Sequence, residues 1–97
     1  SMANVTDSTL LRRNDITIDK SIKEGTVVVE ISEGSGASKS DLKPGDVITK
    51  LNGEKVKDTA YLRYELYKNK PGDTIEVTYI RDGKEHTTKV VLTKNND

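Results

Sequence analysis

Apolar residues are sparse over the first 25 positions and then arrive in short, patterned runs. "TVVVEI" (26–31) is β-branched and bounded by Gly25 and "SEGSG", which predicts a central strand. "GSGASKS" predicts a loop holding a turn of helix. "DVITKL" (46–51) predicts a second strand, followed by Asn52-Gly53, a strong two-residue hairpin signal, and a short returning partner "EKV" (54–56). Asp58 then caps a helix running to about Asn69, with Leu62 and Leu66 four apart and Pro71-Gly72 as the stop. Tyr61, Tyr64 and Tyr67 are expected to pack partly on the sheet. The alternating "TIEVTYI" (74–80) and "EHTTKVVL" (85–92) flank Asp82-Gly83 and predict a hairpin. In the polar start, "DSTLLRR" offers Asp7 or Ser8 as the cap of a short helix, and "NDITIDKSIKEG" reads as a loop.

Strands outnumber helices, and the hairpins are antiparallel. The pattern predicts one α+β, mainly β domain over residues 1–97. Its form is a small, partly open antiparallel barrel or sandwich, with one principal helix over an opening and one or two short helices. The tail, 94–97, is expected to fray.

Composition narrows this reading. A chain of 97 residues with 32% hydrophobic positions and no Phe or Trp builds a thin core from Val, Ile, Leu and Tyr. Lys plus Arg equals Asp plus Glu, 16 each. That balance lacks the basic excess of a nucleic-acid module, so no nucleic-acid partner is expected. With no cysteine, disulfides, thiolate metal sites and a cysteine nucleophile are ruled out. No apolar run reaches the roughly 18 residues of a membrane span, and no direct membrane contact is expected. The chain opens Ser-Met, as a piece cut from a longer protein would, and a targeting or membrane segment would then lie outside it.

Catalytic chemistry finds little support. His86 is the one histidine, set among polar neighbours in a hairpin strand, and reads as a surface residue rather than the base of a triad. One histidine without cysteine leaves only scattered carboxylates for a metal. No phosphate-cradling glycine loop occurs. No catalytic residue, metal or cofactor is expected. What remains is binding by shape, at a strand edge beside a helix.

"EGSGASKSDLKPGDVITKLNGEKV" (33–56) carries more. It resembles the signature of PDZ domains in bacterial proteases, which reads close to "GSPAxxAGLKPGDVIxxxNGxxV". Downstream, "LRYELYKNKPGDTIEVTYIRDGKEHTTKVVL" is similar to the same domain of HtrA/DegP serine proteases, Gram-positive members included. The resemblance covers about residues 25–93, leaving 1–24 as a partial groove strand, short helix and loop. Two departures stand out. The pattern's proline is Gly36, expected to loosen the loop, and its glycine before Leu42 is Asp41, expected to need a left-handed backbone.

The resemblance implies a non-catalytic module that binds C-terminal or extended segments of unfolded proteins by strand addition. It also implies a serine protease domain upstream in cis and a homo-oligomeric parent active in protein quality control. That parent would sit at the extracytoplasmic face of the cell membrane or at the cell surface. "MANV" (2–5) resembles the stretch just after the family's carboxylate-binding segment, so the groove would start partway along its strand. Carried over, the peptide-binding residues are Met2, Ala3 and Asn4 on that strand and Thr59, Leu62, Arg63 and Leu66 on the helix. Thr59, Arg63 and Leu66 fall within about 60° of one another on a helical wheel; Leu66 is expected to floor the pocket, with Thr59 and Arg63 on its rim. Three rivals are a PDZ module of a carboxyl-terminal processing or Lon-like protease, an interaction domain with no protease attached, and a free-standing enzyme, which would need a cluster of polar groups that the sequence does not show.

Overall fold

Asp82 and Gly83 carry the chain through the last hairpin with φ of 52° and 75°, both positive as a type I′ turn requires. Asn52 and Gly53 do the same at 50° and 80°. These two turns fix the registers on either side of them. The chain, described over residues 1–93 by a computed structural model, runs in the order β1 (Met2–Asn4), α1 (Ser8–Arg13), β2 (Thr26–Val28), a 3-10 turn (Ala37–Lys39), β3 (Val47–Leu51), β4 (Glu54–Lys55), α2 (Thr59–Tyr67), β5 (Thr74–Arg81) and β6 (Lys84–Val91). The tail expected to fray, 94–97, lies outside the described residues.

The six strands form one antiparallel sheet in the order β1-β2-β3-β5-β6, with β4 also paired to β3. β2 and β4 share one edge of β3 end to end, since Thr26 lies opposite Ile48 and Lys55 opposite Lys50. The sheet does not close into a barrel; β1 and β6 are its ends. α+β with a dominant antiparallel sheet was the sequence expectation, and the structure agrees.

Both faces of the sheet are covered. On one, Leu62 of α2 joins Val28, Ile48, Leu51, Ile75, Val77 and Val90 in the main core. On the other, Leu11 of α1 packs with Ala3, Val27, Val29 and Val47. The loop over 14–22, read as polar, adds Ile16, Ile18 and Ile22 to this second cluster. Asp7 caps α1 by accepting from Leu10 N–H, and Asp58 caps α2 by accepting from Tyr61 N–H at 2.8 Å.

Some local expectations change. α2 ends at Tyr67 rather than near Asn69. Tyr61 packs against the core, but Tyr64 and Tyr67 stand in solvent, 61% and 81% exposed. They lie on the opposite side of the helix from buried Leu62, about 140–200° around at 100° per residue. Asp41 is not left-handed: the non-glycine residues with positive φ among those described are Asp15, Asn52 and Asp82. Asp41 instead holds the loop, its carbonyl accepting from Arg81 Nη2 at 2.7 Å. Gly36 has a packing role that the sequence does not show. A Cβ there would sit 1.8 Å from Val91 O, so the absence of a side chain is what lets the 3-10 turn lie against β6.

Pro44 and Gly45 form a turn closed by Asp46 N–H donating to Lys43 O at 3.1 Å. The Asp46 carboxylate, 2% exposed, accepts from Lys43 N–H at 2.8 Å. It also takes both prongs of Arg81, Nε to Oδ1 at 2.8 Å and Nη2 to Oδ2 at 2.7 Å. This contact holds the Arg81 guanidinium more firmly protonated than usual, chiefly through its hydrogen bonds to Asp46.

Candidate functional site

β1 lies at the sheet's edge, and the direction of its peptide groups is set by its neighbours. Val28 N–H donates to Asp46 O at 2.8 Å, and Val28 O accepts from Gly45 N–H at 2.7 Å. Val28 therefore turns its polar groups toward the β3 side. In an antiparallel ladder that direction alternates residue by residue. Val27 then faces Ala3, its register partner, and Val29 N–H donates to Ser1 O at 3.0 Å. Met2 and Asn4, by the same alternation, turn their N–H and C=O groups outward, to the open edge.

Side chains alternate as well. Met2 packs against the main core beneath α2, whereas Ala3 is buried in the second core on the opposite face. Beside Met2 lies an apolar cavity of about 70 Å³, several times the space one water needs. Its walls include Met2, Val28, Ile31, Leu42, Ile48, Leu62, Leu66 and Val90, with Ser1, Glu30, Ser32 and Ser35 as the polar contributors. Leu66 is only partly buried and Leu62 is 2% exposed, which places Leu62 deeper in the core than Leu66.

The other end of β1 is polar and occupied. Asn4 Oδ1 accepts from Thr59 N–H at 2.7 Å. Thr26 Oγ1 donates to Ala3 O at 3.2 Å and lies 2.6 Å from Thr59 Oγ1. A hydroxyl carries one proton, so Thr59 donates to Thr26 and Thr26 to Ala3. The helix start is thereby tied to β1 and β2 at once.

Elsewhere, His86 is exposed on β6 with its ring stacked on Tyr79 at 5.5 Å. Among the described residues, no group of three or more His, Asp or Glu side chains gathers as metal ligands.

A family model for the PDZ domain matches residues 4–92. The chain is a PDZ domain. It is 41% identical over 83 residues to the serine protease Do-like HtrA of Lactobacillus helveticus, covering 86% of this chain and 20% of that protein. It is 42% identical over 72 residues to the protein of the same name in Bacillus subtilis (73% and 16%). A probable periplasmic DegP-like serine endoprotease of Rhizobium meliloti is 46% identical over 68 residues (70% and 14%). The PDZ domain thus spans about a fifth or less of the length of these relatives. Among solved structures, the HtrA-type protease AlgW with a decapeptide superposes with a TM-score of 0.77 at 19% identity, covering 96% of this chain and 27% of that one. The HtrA3 PDZ domain bound to the phage-derived ligand FGRWV gives 0.71 at 20% identity, over 95% and 80%.

Of the residues expected to bind a peptide, the PDZ domain brings Met2, Leu62 and Leu66 to one cavity. Thr59 and Asn4 meet at the far end of β1. Ala3 turns its side chain to the other face. Arg63 is exposed and is not part of the cavity wall. Val28 and Ile31 in the cavity wall, and Thr26 beside Thr59, were not among the residues expected. Alternation within "TVVVEI" carries the signal for Thr26 and Val28, since both share a parity and face α2 while Val27 and Val29 face α1.

Proposed function

We propose that this PDZ domain recognises an extended or C-terminal peptide segment by adding it as a strand to the open edge of β1, in the slot between β1 and α2. The observation that carries the reading is the outward pair of peptide groups at Met2, set directly over an apolar cavity walled by Leu62 and Leu66. Main-chain hydrogen bonds supply affinity, and the cavity selects an apolar side chain. Two structural neighbours, one with a decapeptide and one bound to the ligand FGRWV, support the same mode. Relatives described as serine proteases, several of them periplasmic, support a parent of the HtrA type. In that parent the domain presents damaged or unfolded extracytoplasmic proteins to a protease domain in cis, within a homo-oligomer. The domain contributes recognition, not bond cleavage.

The test is an amide chemical-shift titration with a peptide ending in a free apolar residue. Shifts at residues 2–4 and 59–66 are expected. Shifts clustering on the Asp82-Gly83 hairpin would overturn the assignment.

A further inference from the structure

The chain holds one Asn-Gly step, Asn52-Gly53, and it lies exposed at the tip of the β3–β4 hairpin. This dipeptide is chemically labile. The backbone nitrogen that follows an asparagine can attack the side-chain carboxamide carbon, and glycine, with no Cβ, hinders that approach least. Around Gly53 the space is open, with nothing within 4 Å of where a Cβ would lie. The fold controls the other reactant. Asn52 N–H donates to Glu76 O at 2.7 Å, and Glu76 N–H donates to Asn52 Oδ1 at 2.8 Å. The backbone and the carboxamide of Asn52 are thus both pinned to β5, one step beyond the Leu51–Val77 pair. Its Cγ is held toward β5 rather than folded back over the Gly53 nitrogen.

We propose that Asn52 is a modification site, a slow deamidation centre that the native fold holds shut through Glu76 and that reacts when the hairpin opens locally. In the reaction, Gly53 N forms a bond to Asn52 Cγ and gives up its proton to solvent. The Cγ–Nδ2 bond breaks, and the nitrogen leaves as ammonia with a proton taken from water. Water then opens the resulting cyclic imide at Cγ, giving aspartate, or at the backbone carbonyl, giving isoaspartate. The two products differ in consequence. Aspartate keeps an oxygen for Glu76 N–H. Isoaspartate routes the main chain through Cβ and lengthens a two-residue turn that tolerates no extra atom without loss of register. The return through Glu54 and Lys55 then fails, and with it the bond from buried Val56 N–H to Thr49 O, 2.8 Å in the intact hairpin.

The test incubates the whole chain at mildly alkaline pH, native and in concentrated guanidinium, and follows the asparagine-to-aspartate mass gain in the peptide that contains Asn52. Conversion is expected to be at least tenfold slower in the native chain. Sub-denaturing guanidinium is expected to speed it in step with hydrogen exchange at the Glu76 amide, since both need the same opening. The separated products extend the test. The aspartate form and the variant Asn52→Asp are expected to keep the Val56 amide protected, and the isoaspartate form to lose at least tenfold of that protection. A native rate less than tenfold below the denatured one, a rate indifferent to Glu76 exchange, Asn52→Asp with Val56 unprotected, or an isoaspartate form with Val56 still protected would each overturn the proposal.

Discussion

Asp46 and Arg81 meet in a two-pronged ion pair, 2.7 and 2.8 Å, that joins the turn before β3 to the end of β5. The carboxylate is buried and the guanidinium is 31% exposed. Arg81 also reaches Asp41 O, so one side chain staples the loop before β3 to the sheet. Removing either partner leaves its mate without its principal contact.

Arg81→Ala is therefore expected to destabilise the domain, because it leaves the buried Asp46 carboxylate without its cationic partner. Arg81→Lys should recover only part of this, since a lysine cannot make both prongs. Denaturant unfolding of the two variants checks the order; equal stability of Arg81→Lys and wild type would show that the fork geometry is immaterial.

Gly36 and Gly53 separate two reasons for glycine. At Gly36 the φ is −59°, open to any residue, but a Cβ would meet Val91 O. Gly36→Ala should cost about 1–3 kcal/mol through forced displacement of the 3-10 turn from β6. At Gly53 nothing lies within 4 Å of a Cβ, but φ is +80°. Gly53→Val should cost about 1–3 kcal/mol through backbone strain alone. Thermal melts give both values, and amide spectra distinguish them: Gly36→Ala perturbs Val90 and Val91, whereas Gly53→Val perturbs only its hairpin.

The second core makes a separate demand. Leu11 is 5% exposed against Val27, Val29 and Val47. Leu11→Ala should lose about 2–3 kcal/mol, the low end for buried leucine because α1 sits at the margin and can partly collapse. A loss under about 0.5 kcal/mol, measured by urea unfolding, would mean that α1 is only loosely attached.

Strands, hairpins and both helices were legible because period-2 runs, Asn-Gly, Asp-Gly and aspartate caps are local signals. The second core was not. Ile16, Ile18 and Ile22 sit two and four apart in a segment with no regular backbone, so neither period marks them, and only the tertiary placement of α1 brings them over the sheet. The constraint on Gly36 is hidden for a similar reason: it comes from Val91, 55 positions away (91 minus 36). The site was half legible. Leu62 and Leu66 came from the family resemblance, but the inward turn of Ala3 and the Asn4–Thr59 contact depend on the register of β1 against β2, which residues 2–4 alone do not encode.

The central claim is that a peptide side chain enters the cavity beside Met2, Leu62 and Leu66. Leu66 is the partly exposed member of that wall, so Leu66→Lys places a charge at the cavity while its ammonium can reach solvent. The measurement is calorimetric titration of one C-terminal pentapeptide ending in valine into the wild type and into Leu66→Lys, with both confirmed folded by their amide spectra. The account predicts binding by the wild type and a loss of at least tenfold in Leu66→Lys, from the cost of leaving a charge against an apolar ligand. Equal affinities for the two folded proteins would contradict it.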